Sequence, residues 1–309
     1  MDSFLISVKT ILPLFLVIFI GILFSRTKAA SITWVDILNK YALWIGLPAL
    51  VIASLMHLDL KGHSYSGLIL INSAYFIFCM LLAFPISRIF RLSNQVKRSL
   101  FLILSYGNVA YLGIPVLSTT YGEEILPVAS VIVAVYVFWL LTLGIVLIEI
   151  TGEERINGKR FILNLFQNPL LLSVIAGVTI VIFDIKLPEI AEKTIYLFSG
   201  SVTAVVLFSL GIFLGLHKIG NPGDWLTALI WSATILLVLP FLLYMAIKNM
   251  VIDSMLLKAT ILDAAMPLGL TAYALALQYK LEVPLVSRIV VVSTLLAIVV
   301  IPFWMVWLG

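Results

Sequence analysis

The chain has 309 residues, 62% of them hydrophobic and 11% charged, with a mean hydropathy of +1.18. That leaves too little polar surface for a soluble domain, and apolar runs of about 20 residues exclude a β-barrel in favour of an all-α polytopic membrane protein. A formal charge of +4 would suggest nucleic acid in a soluble protein; here the basic residues lie in short loops between apolar runs, so no nucleic-acid partner is expected.

Ten spans are predicted, over 4–25, 34–56, 65–87, 99–120, 125–150, 169–185, 195–216, 225–248, 256–279 and 284–308. The first follows acidic Asp2 and lacks a small-x-small cleavage site, so it reads as a retained span rather than a signal peptide. In span two, Asp36 and Lys40 stand at i, i+4 and predict an interfacial ion pair. Cys79 in span three is the one cysteine, which excludes an intrachain disulfide. Span four is the anomaly. Its stretch SYGNVAYLGIPVLSTTYG, residues 105 to 122, places Gly107, Gly113 and Pro115 where they weaken or break a helix at membrane depth. Irregular backbone survives there only under protein cover or beside a wet cavity. Asn108 in the same stretch carries an amide that either donates to a ligand carboxylate or caps the broken helix end.

Residues 151–168, TGEERINGKRFILNLFQN, are charged and divide the chain into two five-span halves, 1–150 and 169–309. Span six opens with PLLLSVIAG, Pro169 to Gly177, which repeats the Pro-to-Gly spacing of PLFLVIFIG, Pro13 to Gly21, in span one. Ser201, Thr203 and Ser209 in span seven predict packing contacts rather than ligands. Span nine carries ATILDAAMPLG, with a second break at Pro267; like span four, it is fourth in its half. Asp263, four residues earlier, reads either as part of an ion pathway or proton relay, or as a carboxylate near the surface or paired with Lys40 or freed backbone amides. His57, His63 and His217 lack zinc-ligand spacing, so no metal site is predicted. Trp225, Trp231, Trp304 and Trp307 suit an interfacial aromatic belt. No phosphate-binding loop, nucleophile elbow or zinc-protease motif occurs, so no cofactor, no ATP-driven step and no enzymatic role is expected.

An odd number of spans per half sends the second half into the membrane from the opposite face, so the two five-helix repeats are predicted to be inverted, with spans four and nine crossing near the midplane. Half-helix N-termini would then offer amides and partial positive charge to an anion. Twelve of the nineteen Lys and Arg residues, among them Arg26, Arg88, Lys97, Arg160 and Lys280, fall in the loops after odd-numbered spans. The positive-inside rule puts those loops and the 151–168 linker in the cytoplasm and both termini outside.

GNVAYLGIPVLSTTYG and DAAMPLGLTAYALA, supported by LNKYALWIGLPALVIASL in span two and VVLFSLGIFLG in span seven, resemble the bacterial auxin efflux carrier family over essentially the whole chain. The resemblance implies a ten-helix inverted-repeat fold shared distantly with bile acid sodium symporters. It also implies scaffold and transport subdomains interleaved across both repeats, and secondary transport of a small organic anion by alternating access. Plant relatives export indole-3-acetic acid and bacterial ones are associated with malonate or malate, so the substrate is expected to be an auxin-like monocarboxylate or a malonate- or malate-like dicarboxylate. The resemblance carries over Asn108, Pro115 and Pro267. With the rest of the two breaks, the candidate substrate-binding residues are Gly107, Asn108, Gly113, Pro115, Met266 and Pro267, and Asp263 is the candidate coupling residue. The expected setting is a multi-pass protein of the cell inner membrane in contact with lipid, with a homodimer open to it. The plant proteins' long central cytosolic loop is missing here. A sodium-coupled bile-acid-like symporter and, from another class, a channel or membrane receptor are the competing functions.

Overall fold

The computed structural model describes residues 2–56, 65–152, 166–216, 222–250 and 253–309, and it is all-helical. In hydrocarbon every backbone amide and carbonyl must be satisfied internally, and a helix does this within one segment. Among the described residues, six stretches are long and apolar enough to cross a membrane: α2 (Ile32–Leu55), α3 (Ser66–Ile89), α6 (Glu123–Ile150), α8 (Glu189–Leu216), α9 (Gly223–Ile247) and α12 (Val283–Leu308). Between them stand α1 (Asp2–Phe24) and α7 (Pro169–Ile182). Two further columns are interrupted. The first runs from α4 (Asn94–Ser105) through a wide turn at Val109–Gly113 into α5 (Ile114–Tyr121); the second is α10 (Ser254–Ala264) followed by α11 (Leu270–Gln278). Many outward side chains along the helices are apolar, Leu70, Ile175, Leu197 and Val299 among them, as a surface solvated by lipid tails requires.

Local chemistry fixes where several helices begin. The Asn168 side chain accepts from the amides of Leu170 and Leu171, with Pro169 at the first helical position, where its missing N–H costs nothing. Asp253 accepts from Met255 and Leu256, and Ser93 from Val96. Three prolines act differently. Leu47, Ile114 and Leu239 donate back five residues, to Ala42, Val109 and Thr234, and each immediately precedes a proline: Pro48, Pro115 and Pro240. A proline removes one amide and crowds the carbonyl four residues back; widening the preceding turn relieves that crowding without breaking the column.

Glycines set two of the closest helix contacts. Gly21 of α1 meets the backbone of α8 at Phe208 and Gly211, and Gly177 of α7 meets the side chain of Leu55 in α2. Hydroxyls add to this packing, as expected of span seven: Ser209 donates to Asn39 Oδ1 at 3.0 Å, and Ser201 shares a 2.6 Å bond with Tyr41, so α8 is tied twice to α2. The interior is densest around α3, α4 and α6, where Phe76, Met80, Phe101, Leu102 and Tyr136 are fully enclosed.

Two expectations fail. Trp304 does not belong to the aromatic belt: it is 1% exposed, and its indole N–H donates at 2.8 Å to the Leu236 carbonyl in the wide turn of α9. Its neighbour Trp307 does face outward. Asp36 and Lys40 are both exposed, and no ion pair joins them among the described residues; in the open, such a pair gains too little to fix two side chains. His57, His63, His217 and residues 153–165 of the linker lie outside the described residues.

Candidate functional site

The two interruptions meet. Gly107 and Leu268 pair as an antiparallel β-bridge, Asn108 N–H donates to the Pro267 carbonyl at 2.6 Å, and Gly269 N–H donates to the Tyr106 carbonyl at 3.4 Å. The amide of Leu268 finds the hydroxyl of Ser293 on α12 at 3.1 Å. Each break thus satisfies one backbone amide of the other, and Ser293 a third, which helps irregular chain to be tolerated inside the bundle. The contact is close: a Cβ on Gly107 would stand 3.3 Å from the Met266 carbonyl oxygen, which is tight, and one on Gly269 would stand 3.4 Å from Asn108 Cα, about ordinary contact distance.

Four helix ends converge there. The chain leaves α4 at Ser105 and α10 at Ala264, which are carbonyl ends with partial negative charge. It re-enters helix at Val109 and at Leu270, amide ends with partial positive charge. The first amides of each, Val109 to Tyr111 and Leu270 to Thr271, are the donors that a helix start leaves without a helical acceptor. The Asn108 carbonyl closes the first turn by accepting from Leu112 at 3.0 Å and Gly113 at 2.9 Å. Its side chain takes no part in that cap: Nδ2 is buried without a partner among the described residues, in a residue only 4% exposed. Of the two roles open to Asn108, capping is performed by its backbone, and the side-chain amide is free to donate.

Asp263 sits in the last turn of α10, 1% exposed, and neither carboxylate oxygen has a hydrogen-bond partner among the described residues. It is therefore not exposed and, among the described residues, not paired with Lys40 or freed amides. The carboxylate lies against Gly113, where any Cβ would overlap Oδ1, and Met266 closes over the same glycine. An ionised carboxylate at a helix C-terminus, without donors, is in an unfavourable field and calls for a proton or a small cation.

The structure thus brings Gly107, Asn108, Gly113, Asp263, Met266 and Pro267 into one locus. Pro115 stands apart from the crossing contacts, at the start of α5, where it accompanies the wide turn. Sequence reasoning missed Tyr106, Leu268, Gly269 and Ser293. Gly269 carried a signal, as a glycine two residues after a membrane proline; Ser293 carried none, because its role depends on which helix face meets the crossing.

Residues 6–305 match the membrane transport protein family. An "Uncharacterized transporter" of Methanothermobacter thermautotrophicus is 26% identical over 97% of this chain and 98% of its own length. A "Putative malonate transporter" of Rhizobium meliloti is 21% identical over 93% of this chain and 91% of its own. Auxin efflux carrier component 8 of Arabidopsis thaliana is 28% identical over 37% of this chain and 31% of its own. A family match over nearly the whole length, on an apolar helical bundle with paired breaks at its centre, identifies a multi-pass transporter rather than an enzyme: the chain belongs to the membrane transport protein family, that of the auxin efflux carriers.

Proposed function

We propose that the protein is a secondary carrier of small organic anions, with the crossing of the two breaks as its substrate site and alternating access as its mechanism. The observation that carries this reading is the amide of Asn108, unpartnered among the described residues, beside two helix N-termini in a setting where no described Lys or Arg is buried. A carboxylate there would accept from Asn108 and from the orphan amides. The substrate class is a mono- or dicarboxylate of malonate or indole-3-acetate size. The test is a thermal-stabilisation screen of purified protein against such acids, since a ligand that binds only the folded state raises apparent stability by mass action. Saturable uptake with counterflow in proteoliposomes then separates a carrier from a channel. No stabilising acid and no saturable uptake would remove the reading.

The fold proposed with it has ten spans in two inverted five-helix repeats, 1–150 and 169–309, with scaffold and transport parts interleaved. The glycine contacts support this. Gly21 and Gly177 end the two copies of the Pro-to-Gly motif; one packs on α8 and the other on α2, the exchange of partners that an inverted repeat requires. Both termini face outward and the 151–168 linker is cytoplasmic. A single cysteine at Asn157→Cys on a Cys79→Ser background should label only from the cytoplasmic side, and labelling from outside alone would reverse the topology.

Coupling is assigned to Asp263. Asp263→Asn mimics the neutral carboxyl, so substrate binding and exchange should persist while the pH dependence of net flux between pH 5 and 8 flattens. A profile that keeps its wild-type shape, measured with and without sodium, would leave the membrane potential acting on the anion as the driving force.

A further inference from the structure

A single peptide group carries the shortest link between the two breaks. Its carbonyl, that of Pro267, accepts from the Asn108 amide at 2.6 Å. Its N–H, that of Leu268, donates to the Ser293 hydroxyl on α12 at 3.1 Å. A trans peptide is planar, with C=O and N–H pointing in opposite directions, so turning one end turns the other. Ser293 therefore grips one end of a plate whose far end holds Asn108. Little else fixes that plate. The Gly269 amide reaches the Tyr106 carbonyl only at 3.4 Å, and the Gly107–Leu268 bridge is made of these same bonds.

Ser293 is built for the task. It is fully buried in the apolar run IVVVSTLLAIVV, residues 289 to 300. Its own proton reaches the Val290 carbonyl only at 3.4 Å, while its oxygen takes the Leu268 amide. The helix behind it is firmly seated: α12 packs on α1, α9 and α11, and its Trp304 donates to the Leu236 carbonyl of α9. Among the described residues, the Leu268–Ser293 bond is the one hydrogen bond that ties either break to a helix outside the two interrupted columns. Thr294, the next residue of α12, is just as buried, yet its hydroxyl has no partner among the described residues.

We propose that Ser293 is a positioning residue for Asn108: through the 267–268 peptide group it aims the Pro267 carbonyl at the Asn108 amide, and so holds the Asn108 side chain where an anion can accept from it. This rests on the crossing being the substrate site. Without the hydroxyl, the Leu268 N–H is a buried donor with no acceptor, and the peptide plane turns to seek one. That rotation carries the Pro267 carbonyl off the Asn108 amide. Loss of one bond on α12 is thus felt at a residue that Ser293 does not touch.

The first arm of the test needs no substrate. Amide hydrogen exchange of purified protein, read by mass spectrometry, follows peptides covering residues 105–113 and 264–272. Ser293→Ala should speed exchange in both, by about five- to tenfold, and leave the α2 and α8 peptides as in wild type. Thr294→Val removes the neighbouring unpartnered hydroxyl and should change neither segment. Faster exchange in 264–272 alone, in every helix alike, in neither segment, or equally in Thr294→Val would overturn the proposal. If Ser293→Ala cannot be purified, Ser293→Cys decides by the same pattern, since a thiol is a weaker acceptor of nearly the same shape. The second arm is titration with malonate or indole-3-acetate, whichever stabilises the wild-type protein. Folded Ser293→Ala should bind it about five- to tenfold more weakly. A serine that only supports the fold would lower the melting temperature and leave that affinity unchanged, which would equally overturn the proposal. If neither acid binds wild-type protein, the carrier reading loses its support while the exchange pattern still decides the role of Ser293, so the two failures are distinguishable.

Discussion

Gly211→Ala should be among the most damaging single-methyl changes in this protein. The added Cβ would overlap the Ile18 carbonyl oxygen and stand 2.8 Å from Gly21 Cα, both of them backbone atoms that no rotamer change can move. Relief requires α1 and α8 to part along the length over which they touch. Overpacking of a close-packed interior costs about 1–3 kcal/mol, and a clash with backbone belongs at or above the top of that range. The same helix supplies its own control: a Cβ on Gly200 meets nothing within 4 Å, so Gly200→Ala should be neutral or stabilising, by up to about 1 kcal/mol from helix propensity. Thermal melting of the two purified variants, followed by loss of the monodisperse peak, makes the comparison. Equal melting temperatures would show that the α1–α8 contact has more slack than the structure gives it.

Asn108→Ala should weaken substrate binding by about 1.5–3 kcal/mol, which is ten- to a hundredfold in affinity, since it removes one donor to a charged acceptor. The variant should stay folded for a specific reason. The cap on the first break is the Asn108 carbonyl, which accepts from Leu112 and Gly113, and alanine keeps that carbonyl. The 2.6 Å bond from the residue 108 amide to Pro267 survives for the same reason. Calorimetric titration with the best-stabilising acid reads the effect directly. Wild-type affinity in a folded Asn108→Ala protein would take the side chain out of the site.

The two interruptions were legible because glycine, proline and asparagine at membrane depth contradict every local preference, and such contradictions mark places where function overrides propensity. Their register was not. That Asn108 meets Pro267 and that Gly107 meets Leu268 depends on how two segments far apart in the chain slide past each other, and neither segment encodes that alone. Asp263 shows the same limit. Its position in span nine was plain, but whether it faced lipid headgroups, Lys40 or the crossing turned on helix rotation and depth. Trp304 was misread because the belt rule sees only distance from a helix end, while the carbonyl that captures its indole N–H belongs to another helix.

The mutual satisfaction of the two breaks also dictates an order of events during synthesis. The acceptor for the Asn108 amide is the carbonyl of residue 267, which leaves the ribosome 159 residues after residue 108. Until then the first break enters the bilayer with amides and carbonyls exposed, at a cost of several kcal/mol for each one that hydrocarbon surrounds. The first half of the chain therefore cannot settle as a finished unit. Its break reaches its final backbone pairing only once the second half has been made.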